Sequence, residues 1–349
     1  MMSLETAFLH LQQAASRQGC QVLLRALTEP VRRIGASACQ LGALGLDDRL
    51  NDVTQHIEAL RLSVEQQLFD GRFAEHLIAL GRRCGELEFA TVACECGVEL
   101  HPLQSLREES RSRQKAPDFV HDNDPCLYFE VKTLARVHAN QNVRALLAEA
   151  QAEQDNVRRQ LAGGSKVATS LIVDQPYADK PYTKGAIGGL IETLILKTCS
   201  NYKPGQFSHG PTVLVLNLFD LPLYTTAPEQ LRPVFWSPDP PVPGPMSGAL
   251  WMSAFGAPGN LLFMPPEYAG QPAVEGAMRL HGVLQTHADV RGLIVLAHAL
   301  SGPAQVMGLL LRSQRDTFMQ DEGQSWETLS RLFGQYWNDE QDSNGWQLG

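Results

Sequence analysis

"KAPDFVHDNDPCLYFEVKTLA", residues 115–135, decides how this chain is read. Two short apolar runs, 118–121 and 126–132, flank Asp122-Asn123-Asp124-Pro125, and turn-forming residues between such runs predict a β-hairpin. Side chains at i and i+2 of a strand share a face. Glu130 and Lys132 therefore project together, about 6.6 Å apart along the strand, while Phe129 and Val131 turn toward a core. A turn at 122–125 sets Asp118 across from residues 129–130, so that Asp118, Glu130 and Lys132 meet at one end of the hairpin.

Two converging carboxylates repel each other unless a cation sits between them. Mg²⁺ suits that place, because it takes oxygen ligands, keeps several waters and needs only one or two carboxylates. Asp118 and Glu130 are the candidate metal ligands, and the carbonyl of Val131 is a third. Mn²⁺ is the alternative ion. Such a metal polarises a phosphoryl group and activates a bound water. An amine at Lys132 can orient that water or stabilise charge developing on the phosphoryl oxygens. The set is sufficient for phosphodiester hydrolysis.

Outward from the hairpin, residues 4–65 carry apolar side chains at three- and four-residue spacing and predict helices broken near Pro30 and at "GALGL". "GRFAEHLIALGRRC" (71–84) predicts another helix, with Gly85 as its stop. "LEFATVACECGVEL" (87–100) alternates and is rich in small and β-branched residues, which predicts a strand. After the hairpin come a helix over 140–164, a strand over 166–174, a helix over 183–199 and a buried strand over 212–220. Residues 222–247 form a proline-rich connection. Beyond it, "GALWMSAFG" and "NLLFMP" are expected to pair as a hairpin, and "RGLIVLAHAL" and "VMGLLLRS" to extend the same sheet. The expected organisation is a helical region (1–65), an αβββαβ core (66–221), the connection (222–247) and a C-terminal α/β extension (248–349).

Pro117-Asp118 and Glu130-Val131-Lys132, with that element order, resemble the PD-(D/E)XK phosphodiesterases, the restriction-endonuclease-like superfamily. The resemblance covers less than half of the chain. It implies a restriction-endonuclease-like mixed sheet and metal-dependent cleavage of DNA, less often RNA, with Asp118 and Glu130 as ligands and Lys132 as the catalytic lysine. Many members add an acid from the helix before the first strand. Glu75 fits by position, with Glu86 and Glu88 as weaker candidates. The Gln-x-x-x-Tyr of the exonuclease branch is not matched, because Gln151 and Gln154 are followed four residues on by Asp155 and Arg158. Glu130-Val131-Lys132 is the chain's one acidic-x-Lys tripeptide, which sharpens an otherwise short motif.

The net charge of −9 over 349 residues offers nucleic acid no general attraction, so phosphate contacts must come from a local patch. Arg111, Arg113, Lys115 and Arg136 flank the motif and are the candidates, joined by Arg107, Arg144, Arg158 and Arg159. Seven scattered cysteines do not form a disulfide framework and point to a reducing, cytoplasmic setting. The N-terminal segment lacks the pattern of a signal peptide, and no apolar run is long enough for a membrane span. Cys94 and Cys96, near Cys84 and His101, read more readily as core thiols than as zinc ligands. His121 beside the hairpin is more readily an edge residue than a proton carrier. Two rival readings remain: an inert scaffold of the same fold that binds DNA or protein, and an adaptor that acts through residues 1–65. The sequence leaves a homodimer open.

Overall fold

The computed structural model describes residues 3–19, 24, 27–103, 116–122, 126–134, 152–153, 155–167, 187–200, 202–218, 227–237, 244–264, 273–298, 304–320 and 324–341. It is a mixed α/β protein with a helical N-terminus and a seven-stranded mixed sheet. The chain forms two compact units that interleave along the sequence, 1–88 with 135–181, and 89–134 with 182–349.

In the first unit, α1 (Leu4–Arg17) is capped by Ser3, whose hydroxyl accepts from the N–H of Thr6 at 3.2 Å. It buries Leu4, Ala7, Phe8, Leu11, Ala14 and Ala15, a single stripe at helical spacing. Helices α2 (Thr28–Ala36) and α3 (Ala38–Ala43) follow. Helix α4 (Asp47–Glu65) packs against α1 and buries Val53, Ile57, Leu60 and Val64. Asp47 and Asp48 in its first turn complement the helix dipole. Part of the helix expected over 140–164 is described, and residues 155–162 are helical.

Helix α5 (Gly71–Glu95) corrects the sequence reading. It opens on Asp70, whose carboxylate accepts from the N–H groups of Arg72 (2.9 Å) and Phe73 (3.1 Å). It does not stop at Gly85, and 87–95 are helix rather than strand. Leu87, Glu88, Phe89, Ala90, Thr91, Val92 and Ala93 are all buried, so no exposed face marks the period. A helical glycine costs only about 1 kcal/mol, a small term against that burial. The helix stops at Gly97, which has a φ of +72°. There the N–H of Val98 donates to the carbonyl of Ala93 at 2.8 Å.

The second unit is built on a sheet of seven strands. They are β1 (His101–Pro102), β2 (Phe119–His121), β3 (Leu127–Thr133), β4 (Thr212–Asn217), β9 (Val290–His298), β10 (Ala304–Leu309) and β11 (Trp337–Asn338), in spatial as well as chain order. β1, β2 and β3 form an antiparallel meander, and β3, β4 and β9 run parallel. β10 lies antiparallel to β9, so the two C-terminal apolar runs do extend this sheet. β4 is buried at every position, as expected of a central strand covered on both faces. Between β3 and β4 lies α6 (Ile187–Ser200), which buries Ile187, Leu190, Ile191, Leu194, Ile195 and Thr198. The strand expected over 166–174 falls, from residue 168, outside the described residues.

Between β4 and β9, α7 (Ala227–Gln230) precedes the hairpin of β5 (Val234–Ser237) and β6 (Gly244–Ser247), and all three lie within the 222–247 connection, which is therefore not irregular throughout. "GALWMSAFG" is not a strand. It forms α8 (Ala249–Phe255), buried along its whole length, and burial on every side again leaves no helical period to read. The entry to α8 requires glycine, because a Cβ on Gly248 would stand 2.0 Å from the carbonyl oxygen of Arg232. "NLLFMP" does supply a strand, β7 (Leu261–Met264), but its partner is β8 (Ala273–Ala277). The short α9 (Val283–Thr286) leads into β9.

Candidate active site

The expected hairpin forms, with Phe119 opposite Phe129, Val120 opposite Tyr128 and His121 opposite Leu127. Continuing this register sets Asp118 opposite Glu130. Phe119 and Phe129 are fully buried, and Phe89 packs behind both, at 6.2 and 5.4 Å between ring centroids. With that face committed to the core, strand alternation turns Tyr128, Glu130 and Lys132 to the opposite face.

Asp118 is half-buried, and its Oδ2 accepts from the backbone N–H of Val131 at 2.9 Å. The Lys132 ammonium donates to Oε1 of Glu130 in a short ion-paired contact. Asp118 is thus held against the β3 backbone at Val131, and Lys132 is seated on Glu130, at the same end of the β2–β3 hairpin. Glu130 is only 2% exposed. A carboxylate so far from water requires hydrogen-bonding and charged partners. Besides Lys132, it has one the sequence did not reveal, because the Gln206 amide N–H donates to the same Oε1 at 2.5 Å. The Gln206 carbonyl in turn accepts from Lys132 Nζ at 3.3 Å.

Gln206 stands on a 3₁₀ turn, Pro204–Phe207, just before β4. Parallel pairing of β3 with β4, Glu130 beside Leu214, returns this distant stretch to the hairpin. The stretch lies close over the Glu130 face. A Cβ on Gly210 would stand 2.6 Å from the Tyr128 ring, and the His209 ring lies 6.3 Å from it. Tyr202 stacks with Phe207 at 4.9 Å and with His287 at 3.9 Å, and its hydroxyl donates to Asp289. Burial and the Asp289 carboxylate raise the Tyr202 phenol above its ordinary range. Burial lowers His287, which favours its neutral form.

Other candidates have different surroundings. Glu75 is exposed on α5 in the first unit. Glu86, also in that unit, is buried and paired with Arg49 (3.1 Å) and Arg83 (2.8 Å), which accounts for its charge, and Glu88 is fully buried. His121 is a hairpin-edge residue whose Nδ1 lies 2.8 Å from the carbonyl oxygen of Glu99. Cys94 and Cys96 are half-buried at the end of α5, not on a strand, and Cys84 is fully buried. Arg107, Arg111, Arg113, Lys115, Arg136 and Arg144 lie outside the described residues. Arg158 is described and pairs with Asp155 at 3.2 Å.

Asp118 and Glu130 offer carboxylate oxygens and β3 offers the Val131 carbonyl, a donor set that fits Mg²⁺ or Mn²⁺ in kind. Among the described residues, no group of three or more His, Cys, Asp or Glu is placed to hold a metal ion. No helix among them is long and apolar enough to cross a membrane. Compared with protein-family models, curated proteins and solved structures, the chain matches none.

Proposed function

We propose that this chain is a metal-dependent nuclease that hydrolyses phosphodiester bonds in DNA. We read the second unit, with the end of α5 leading into it, as a restriction-endonuclease-like core. The order α5, β1, β2, β3, α6, β4 supports that reading. The observation that supports it is the Glu130–Lys132 pair on β3, with Asp118 bonded to the N–H of the residue between them and Phe119 and Phe129 buried in the hairpin.

Asp118, Glu130 and the Val131 carbonyl would hold Mg²⁺ or Mn²⁺. When bound, such an ion polarises a phosphoryl oxygen and supplies an activated water. Asp118 is fixed in direction by the Val131 N–H, and Glu130 by Gln206. Lys132 is the group that orients the water or meets the charge developing on the phosphate. Arg111, Arg113, Lys115 and Arg136 are proposed to contact the polynucleotide backbone, which positions it without selecting sequence.

One observation favours a second reading. Glu130 is nearly sealed from solvent, and its Oε1 already carries both Lys132 and Gln206. That network suits an inert scaffold of the same fold, in which the ion pair only stabilises the sheet. The test incubates purified protein with linear and supercoiled DNA in Mg²⁺ or Mn²⁺, beside Asp118→Asn and Lys132→Met. Cleavage by wild type alone is the expected result. DNA binding that needs no metal, is unchanged in Lys132→Met and brings no cleavage identifies the scaffold. Cleavage that survives both substitutions removes these residues from the chemistry.

A further inference from the structure

Gln206 has a feature that an incidental neighbour would lack. An ionised carboxylate only accepts hydrogen bonds and an ammonium only donates them. A primary amide can serve both at once from its two ends, and Gln206 does so, donating to Glu130 and accepting from Lys132. The chemistry of the partners thus fixes which end of the amide faces which residue. Gln206 is 8% exposed and Phe207 beside it is 5% exposed, so the turn is built inward. The stretch that carries it is tied down by the stacking of Tyr202 with Phe207 and His287 and by the Tyr202–Asp289 hydrogen bond.

We propose that Gln206 is a positioning residue that keeps the Lys132 ammonium seated on Glu130, making Lys132 a built-in cation that a divalent ion must displace. The inference rests on the reading of Asp118 and Glu130 as metal ligands. Lys132 and a divalent ion compete for the same carboxylate oxygen, and their positive charges repel each other at that range. Any change that unseats Lys132 makes Glu130 more available. Gln206 controls the seat because it holds both members of the pair.

The test is titration with inorganic Mn²⁺ alone, followed by calorimetry and by the paramagnetic resonance signal of the free ion, with no nucleic acid and no turnover. Lys132→Met is expected to bind Mn²⁺ about tenfold more tightly than wild type, the equivalent of about 1.4 kcal/mol. Gln206→Leu is expected to gain about threefold by loosening the seat, about 0.7 kcal/mol on the same scale. In a Lys132→Met background the same change is expected to add nothing, because there is no ammonium left to hold. Gln206→Glu preserves the shape and serves if the leucine variant does not fold. Its carboxylate draws Lys132 away and adds an oxygen donor, so its expected gain is at least that of Lys132→Met. Wild type that binds Mn²⁺ while the Gln206 variants bind equally or more weakly overturns this role and leaves the metal reading standing. A gain from Gln206→Leu that persists in full without Lys132 also overturns it. Failure of wild type and every variant to bind Mn²⁺ removes the metal reading and this inference with it.

Discussion

Lys132→Met tests directly what Glu130 needs in order to stay buried. Methionine keeps much of the apolar stem and removes the charge. Wild-type Glu130, 2% exposed, is bonded to Lys132 and to Gln206, and the variant retains Gln206. Breaking a buried ion pair costs about 3–5 kcal/mol when one charge is left behind. Lys132 is 15% exposed, so water can enter where it stood, and one charge-assisted hydrogen bond survives. The expected loss is therefore about 2–3 kcal/mol at pH 7. A separate limit comes from protonation. An ordinary glutamic acid titrates near 4.3, so taking up a proton at pH 7 costs about 3.7 kcal/mol and caps the charge penalty. At pH 5 the same cap falls to about 1 kcal/mol. In a unit of roughly 200 residues each kcal/mol moves the melting temperature by about 2–4 °C. Thermal unfolding followed by circular dichroism, with a chelator present, should show a drop of about 5–10 °C at pH 7 and a much smaller one at pH 5. A variant as stable as wild type at pH 7, or an equal loss at both pH values, would refute the idea that Glu130 depends on the Lys132 charge.

Three further outcomes follow from the packing. Phe89→Ala removes the ring behind both hairpin phenylalanines and should cost about 3–5 kcal/mol in chemical denaturation; a loss below about 1 kcal/mol would mean that the hairpin does not lean on α5. Gly248→Ala sets a methyl group against the Arg232 and Gln230 carbonyl oxygens, at 2.0 and 2.7 Å, and should destabilise by more than about 2 kcal/mol, read as the shift in urea midpoint. In the first unit, Nδ1 of His56 lies 3.1 Å from Nδ1 of His76, a contact that needs one ring to offer its lone pair. Burial lowers His56, the adjacent His76 lowers it further, Asp52 opposes this and Arg83 adds to it. The unfolded chain then binds the extra proton first. Stability should be full above about pH 6.5 and fall as the pH drops from there toward the lowered folded value. Urea midpoints at pH 7.5 and 5 should show this loss in wild type and a smaller but still present loss in His76→Phe, which removes the second cause and leaves burial, the larger one, in place.

What the sequence disclosed and what it hid have the same cause. α1 and α4 keep a solvent face, so their burial stripes are written in the residue pattern. The hairpin was legible because its information is local: turn residues at 122–125 and a period of two along 126–132 lie within the 15 residues that carry Asp118, Glu130 and Lys132. Residues 84–93 of α5 and all of α8 are buried on every side, and a segment with no exposed face carries no period. Gln206 lies 74 residues beyond Lys132 and meets it only because β3 pairs with β4. The nearest sequence signal was the buried run at 212–217, whose entry had to fall beside whichever strand it joined.

Charge accounts for why the hairpin has this composition. Asp118 and Glu130 sit on a sheet whose neighbouring strand, β4, is buried throughout, and two bare carboxylates there would oppose folding. Lys132 reduces the local charge from −2 to −1 and makes the metal-free fold tolerable. On the proposed reading, a divalent ion in the same place brings the three side chains and the ion to +1, a charge that attracts a phosphodiester where the empty site repels it. The same amine then has two tasks, seated on Glu130 when the ion is absent and released toward the phosphate when it is present. A site that only stabilised the sheet would need the first arrangement alone, and its ammonium would not compete with Mn²⁺.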